Sequence, residues 1–291
     1  MHFNKLWWIG ITLLFISISF NLSAQQKNLK IISYNILEGM KLDTTSNKDY
    51  FVSWVKSQNP DILALQELNS FTQKQLEELA RKFNHPYAVL LKEKGYPVGL
   101  TSKFPIINVE KVLDNMLHGF IKAEILDYSI YVIHLSPHKY QKRREETDLI
   151  LQMSQSKPNH QKKTIIMGDF NSISESDAEA YKDGKLWERF NFNDNKYPTH
   201  ANLCNGQLDY EVHRKIVNAG YVDAFKLLNK PYDYSAPTLL TSNGGETPSY
   251  RIDFIYVSKS LKHRIKRAAI VKDDFTNYYS DHYPVVIEIM K

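Results

Sequence analysis

From Leu29 onward, short apolar runs alternate with longer polar stretches, and the apolar runs repeatedly end on a polar residue. Residues 29–35 alternate well enough to predict a strand that finishes on Asn35. Residues 48–58 place Phe51, Val52 and Val55 on one face of a helix, which Asn59-Pro60 stops. Residues 61–66 predict a buried strand running up to Glu67, and residues 71–83 a polar amphipathic helix with Leu76 and Leu79 inward. Short strands at 98–101 and 106–109 flank the turn Ser102-Lys103-Phe104-Pro105. A hairpin of 121–125 and 129–133 around Asp127-Tyr128 delivers His134. Residues 141–154 predict a charged helix with Leu149, Ile150 and Met153 on one side, and 164–167 a strand leading into Gly168-Asp169-Phe170-Asn171. Residues 171–205 are polar and irregular and read as long loops, while 252–257 and 285–289 close the chain as strands. The succession predicts a layered α/β or α+β domain with packed sheets. No repeat, low-complexity tract or Pro/Gly-rich linker divides residues 25–291, which are expected to form one domain.

Ahead of this pattern, Lys5 precedes an apolar run from Leu6 to Phe20, and Asn21-Leu22-Ser23-Ala24 supplies small residues before Gln25. That layout predicts a secretory signal peptide over residues 1–24. The run is short against the roughly 20 residues of a bilayer span. Leu22 is large for a residue so close to a cleavage site, which leaves a retained anchor open. No cysteine follows the run, so lipid attachment has no acceptor, and the expected location is secreted or periplasmic. The lone Cys204 excludes an internal disulfide and a cysteine-built structural zinc. A net charge of +5 suits an anionic substrate but falls short of a dedicated DNA coat. A monomer is expected.

The chemistry lies where the apolar runs end. Asn35, Glu67, His134, Asp169 with Asn171, Asp253 and Asp281-His282 all sit in or at the edge of such runs. An isolated buried carboxylate costs several kcal/mol unless it is paired or bound to a cation. Three aspartates and a glutamate so placed call for a shared counter-charge, and a hard divalent cation with oxygen ligands provides one. Mg²⁺ fits, being held by one or two carboxylates plus waters and phosphate oxygens. Singly, each residue has an ordinary reading: Glu67 as a helix N-terminal charge, Asp169 and Asn171 as a turn, His134 and His282 as partly buried histidines. Asp253, inside an apolar strand, fits an ordinary reading least well. Their conjunction is what points to a site.

Seven segments, in order, resemble the endonuclease/exonuclease/phosphatase superfamily, which includes pancreatic deoxyribonuclease, abasic-site endonucleases, inositol polyphosphate 5-phosphatases and bacterial neutral sphingomyelinases. They are Ser33-Tyr34-Asn35, Leu65-Gln66-Glu67, residues 99–106, Ile133-His134-Leu135, Met167-Gly168-Asp169-Phe170-Asn171, Arg251-Ile252-Asp253-Phe254-Ile255 and Ser280-Asp281-His282-Tyr283-Pro284-Val285. The resemblance implies a four-layer α/β sandwich with two packed central β-sheets flanked by helices. It implies a Mg²⁺-dependent hydrolase of phosphoesters, with Mn²⁺ as a substitute. Glu67 resembles the principal metal ligand, with Asn35 and Asp281 completing the coordination region. Asp169 resembles the water-activating aspartate, and Asn171 the residue positioning the nucleophile and a phosphate oxygen. His282 resembles the histidine that contacts the scissile phosphate, and Asp253 the carboxylate that orients it. His134 resembles a second phosphate-contacting histidine, expected protonated like His282. The candidate substrate-binding residues are Asn171, His134, His282, Arg251 and His118.

Such machinery does not choose a substrate. His118-Gly119 and Ser136-Pro137-His138-Lys139 are either turns or flanks of the active face. Residues 183–205, with Trp187, Phe190, Phe192, Tyr197 and His200, either rim a pocket or cover the sheet. Lys259, Lys262, His263, Arg264, Lys266 and Arg267 form the densest basic stretch. It would serve nucleic-acid phosphates, but an exposed loop or edge strand guarded by positive charge is the favoured reading. The sequence shows no platform of aromatics interleaved with arginine and no amphipathic insertion suited to a lipid surface. A small or soluble phosphorylated substrate is therefore expected. A secreted endonuclease acting on DNA or RNA, a sphingomyelinase-like lipid phosphodiesterase and an inactive binding module stay open.

Overall fold

A computed structural model describes residues 28–155 and 163–290. The expected signal segment, residues 1–24, lies outside the described residues. Twelve strands form two mixed sheets of six. The strands are β1 Leu29–Asn35, β2 Ile62–Gln66, β3 Tyr87–Leu90, β4 Gly99–Ser102, β5 Ile106–Val112 and β6 Phe120–Ile125. The second half contributes β7 Tyr128–His134, β8 Lys163–Asp169, β9 Tyr221–Asp223, β10 Asp253–Ser258, β11 Ile265–Ile270 and β12 Val285–Ile289. One sheet runs β11-β12-β1-β2-β4-β3, the other β5-β6-β7-β8-β10-β9. Each holds one parallel pair near its centre, β1 with β2 and β7 with β8, and the other pairings are antiparallel.

Period-two alternation explains the layering. Ile31, Ile62, Ala64 and Leu100 of one sheet meet Ile121, Val132, Met167 and Ile255 of the other in the central core. Their strand neighbours Ile32, Tyr34, Leu63 and Leu65 point outward onto helices Asp49–Gln58 and Gln73–Lys82, through Phe51, Trp54, Leu76 and Leu79. Tyr131, Ile133, Ile166 and Phe254 cover the opposite face with Ile150, Val212 and Ile216 of helices Tyr140–Gln155 and Glu211–Asn218. The result is the four-layer helix–sheet–sheet–helix sandwich expected.

Two sequence expectations change. Residues 171–205 are not all loop, since Lys185–Lys196 is a helix. Only Leu186 of it is buried, so it offered no apolar stripe to read. The basic stretch becomes a short 3₁₀ segment, Lys259–Arg264, followed by β11, an edge strand with Lys266 and Arg267 exposed, in keeping with the guarded-edge reading.

Two buried histidines pin loops to this frame. The His85 nitrogens lie 2.8 Å from Thr101 Oγ1 and 2.9 Å from the Pro60 carbonyl oxygen. Those of His213 lie 2.9 Å from Tyr256 Oη and from the Ser172 carbonyl oxygen. Burial pushes His85 down to about 4 and His213 down to about 3. Both fall below the ordinary 6.5, so the unfolded chain binds protons that the folded chain refuses. Stability is then expected to fall as pH drops from 6.5 towards 4, and His85→Gln to make that slope shallower in urea melts. An unchanged slope would contradict the neutral, buried assignment.

Candidate active site

Register gathers the residues picked out at strand ends. In the second sheet His134 pairs with Asp169 across the parallel β7–β8 ladder, and Asp253 pairs with Asp169 across β8–β10. Three functional side chains therefore lie in one row on adjacent strands. The preceding row requires a glycine: Gly168 has φ +145°, and a Cβ there would lie 2.0 Å from the Ile133 carbonyl oxygen. In the first sheet Asn35 pairs with Gln66, which places Glu67 just beyond the β2 end, at φ +62°. Such a conformation is uncommon outside glycine and marks strain at functional positions. Asp281-His282 enters immediately before β12, the neighbour of β1.

The two rows meet across the sandwich. Asn35 Nδ2 donates to Glu67 Oε1 at 3.1 Å and to Asp169 Oδ2 at 3.1 Å, while its Oδ1 accepts from the Leu37 N–H at 3.2 Å. Asn35, expected as a ligand through oxygen, thus turns its nitrogen towards the carboxylates and bridges them. Glu67 Oε2 accepts from the Glu38 N–H at 2.9 Å. The Asn171 N–H donates to Asp169 Oδ1 at 2.8 Å, and its Nδ2 donates to the Leu135 carbonyl at 3.0 Å. Both Asp169 oxygens are therefore held by N–H donors. His282 Nδ1 lies 2.8 Å from Asp253 Oδ2 and 3.9 Å from Asp169 Oδ2. His134 Nε2 lies 3.5 Å from Asp169 Oδ2.

Burial and charge assign protonation. Burial pushes Asp169 up to about 7, with the Asp253 and Glu67 charges adding to it and His282 and the Asn171 N–H opposing. Burial alone would lower His282, but the carboxylates of Asp253, Asp169 and Asp281 outweigh it and hold the ring protonated. His134 differs from the expected cation: burial, with His118, His282 and Lys92 nearby, keeps it neutral. Burial also raises Glu67. Glu67, Asp169, Asp253 and Asp281 thus share one close cation, His282, and the raised carboxyls register the missing counter-charge. An oxygen-rich donor set short of positive charge fits a divalent metal ion. Ligand atoms of Asp169, Asp253 and His282 fall within 4.8 Å of one another. A protonated His282 engaged with Asp253 is a poor ligand, so Glu67, Asp169 and Asp281 are the better-suited holders.

Arg251 leaves the substrate-binding set. It is 1 % exposed, and its guanidinium nitrogens lie 2.7 Å from carboxylate oxygens of Asp177 and of Asp223. It braces the segment ahead of Asp253. His118 comes close, its ring stacked on His134 with centroids 4.3 Å apart. Sequence reasoning missed Tyr250, which is half-buried and electrostatically coupled to His282, Asp281 and Asp169. Phe190 and Arg189 of helix Lys185–Lys196 pack on its ring. The period-two spacing of Tyr250 and Ile252 ahead of β10 was the available signal.

Residues 32–282 match the model of the Endonuclease/Exonuclease/phosphatase family. The chain belongs to that family. Members are metal-dependent phosphoester hydrolases, and this endonuclease/exonuclease/phosphatase protein is such an enzyme. No curated protein matches the chain. Among solved structures it is similar to an AP endonuclease from Archaeoglobus fulgidus, with 17% identity over 90% of this chain and 99% of that one and a TM-score of 0.63. It is also similar to the 3′ phosphatase NExo from Neisseria bound to product DNA hairpin, with 17% identity, the same two coverages and a TM-score of 0.65. At that identity the likeness is one of fold.

Proposed function

We propose that the protein is an exported, Mg²⁺-dependent phosphoesterase that hydrolyses a small or soluble phosphorylated substrate by in-line attack of water. The observation that carries this reading is a proton acceptor near neutrality, Asp169, held beside an imidazolium, His282, at the seam of two sheets. Asn35 and Asn171 fix the two Asp169 oxygens, so its remaining lone pairs are aimed before water arrives. An acceptor matched to the working pH takes the proton as the water attacks. Asp253 engages His282 Nδ1, which leaves Nε2–H to donate to a phosphate oxygen, with charge assistance. Neutral His134 hydrogen-bonds substrate oxygen and adds no charge. The metal, held at Glu67, Asp169 and Asp281, would supply Lewis acidity and a template for the phosphoryl group. Mg²⁺ is favoured by the oxygen donors, and export by the leader pattern of residues 1–24.

The far position of the basic stretch favours the small substrate. β11 runs antiparallel to β12, with Ile270 opposite Val285 and Ile265 opposite Ile289. Lys259–Arg264 and Lys266 therefore lie towards the end of the sheet opposite His282, about 13 Å or more along the strands. A polynucleotide reading draws on the printed descriptions of the two similar structures, an AP endonuclease and a DNA-bound phosphatase. Among the described residues no helix is long and apolar enough to cross a membrane.

The test is turnover of bis-p-nitrophenyl phosphate, p-nitrophenyl phosphate, sugar phosphates, sphingomyelin and supercoiled DNA, with Mg²⁺, Mn²⁺ or EDTA. Expected is metal-dependent release from a small ester, lost in Asp169→Ala, with the plasmid intact. Nicking lost in the same variant would replace the small substrate with nucleic acid, and turnover indifferent to EDTA would overturn the metal reading.

A further inference from the structure

The catalytic row has a wall on its β6 side that the reaction at Asp169 does not use. His118, 8 % exposed, stacks on His134 at 4.3 Å, with 24° between the planes. Tyr96, 40 % exposed, meets the outer side of His118 edge-on at 5.5 Å. A column of three rings thus leads from the reaction centre to solvent. It joins the two sheets, since Tyr96 lies on the β3–β4 connection and His118 stands just before β6. Gly119 makes the join possible: at φ +89°, a Cβ there would lie 2.6 Å from the Val112 carbonyl oxygen and 2.9 Å from the Leu91 side chain.

The column carries unmet hydrogen-bonding capacity. His118 Nε2 and His134 Nδ1 are buried and have no protein partner. Native structures rarely leave such atoms unsatisfied, because each costs about 1–3 kcal/mol when nothing bonds it. Lys92, on the same connection as Tyr96, is half-buried and close enough to depress both histidines. Among the described residues it makes no ion pair, and burial is the one influence on its own basicity. An unpaired lysine beside two unsatisfied imidazoles lacks an anion that offers several acceptor oxygens.

We infer that Lys92, His118 and the face of Tyr96 form a subsite for a second phosphoryl group, carried by the substrate beyond the one that is cleaved. This rests on the phosphoesterase reading and adds the substrate class: molecules with at least two phosphoryl groups. The second phosphoryl oxygens accept from Lys92 Nζ and His118 Nε2–H, and Tyr96 closes the outer side. A charged polynucleotide backbone and a small bisphosphate share this chemistry.

Binding tests it without turnover. Titration calorimetry on the purified protein compares thymidine 5′-monophosphate with thymidine 3′,5′-bisphosphate, and glucose 1-phosphate with glucose 1,6-bisphosphate. Expected is a preference of about tenfold or more for the bisphosphate in one pair, the size of one charge-assisted hydrogen bond. The pair that shows it identifies the source as nucleotide or sugar. Lys92→Gln, at a half-exposed position, and His118→Asn are each expected to cut that preference towards one. No preference in either pair overturns the inference, as does a preference that survives both variants. Weakening of mono- and bisphosphate by the same factor makes these residues scaffolding and overturns it too. A bisphosphate preference in a protein that hydrolyses no ester would leave the subsite standing and sink the reaction.

Discussion

Asp169→Asn is expected to lose activity by about a thousandfold or more while melting at a higher temperature than the wild type when metal is chelated. The loss follows from removing the proton acceptor, a contribution of about 10²–10⁴ in rate. The gain follows from the charge crowding at the seam. Asp169 is buried, pushed up to about 7, and lies among Asp253, Glu67 and His282. A neutral isostere of the same shape removes one desolvated negative charge that the metal-free protein must otherwise carry. At roughly 2–4 °C per kcal/mol for a chain of this size, a relief of about 1 kcal/mol is visible in a thermal melt. Saturating Mg²⁺ should shrink the difference, because the wild type then gains a cation that the variant binds less well. A variant that melts lower in EDTA, or one that keeps wild-type turnover per folded molecule, would contradict the placement of Asp169 at the reaction.

The second large effect is a coupling. His282 and Asp253 act through one 2.8 Å contact. His282→Ala removes the imidazolium and strands a buried carboxylate, a loss of about 3–5 kcal/mol. Asp253→Asn leaves the ring near Asp169 and Asp281 but frees its orientation. Either change is expected to cost about 10²–10⁴ in kcat. The double variant should be no less active than His282→Ala, and it should be more stable, since no unpaired carboxylate remains at position 253. Independent, additive losses in both measurements would mean that the two side chains do not work as a unit.

The residues that answer to these predictions were visible because of a conflict in the sequence. Asn35, Glu67, Asp169 and Asp253 interrupt apolar runs whose period otherwise demands hydrophobic or neutral positions. The same periodicity made β1, β2, β7, β8, β10 and β12 legible, because they are buried on both faces or alternate cleanly. Elements that stand on few buried side chains were not legible. β3 is mostly half-exposed, and helix Lys185–Lys196 hides only Leu186. Arg251 was misread because its neighbourhood in sequence is the Asp253 segment, whereas its partners Asp177 and Asp223 come from distant parts of the chain. The charge of His134 was misread for a similar reason. A histidine at a strand end looks ionisable, and only the fold reveals that a second imidazole, His118, lies flat against it. Tyr96 and Lys92 gave no signal, since a loop residue acquires meaning here through a contact with the other sheet.

The order of strands has a further consequence. β12 is the last strand, yet it lies inside its sheet between β11 and β1, and Asp281 and His282 arrive only as the chain turns into it. A ribosome or protease that stops short of this strand leaves a fragment without its imidazolium and with the edge of β1 uncovered. Such a fragment is inert and sticky, not weakly active. Competence therefore arrives in a single step, with the final stretch of polypeptide, and a hydrolase of phosphoesters stays silent for as long as it is being made.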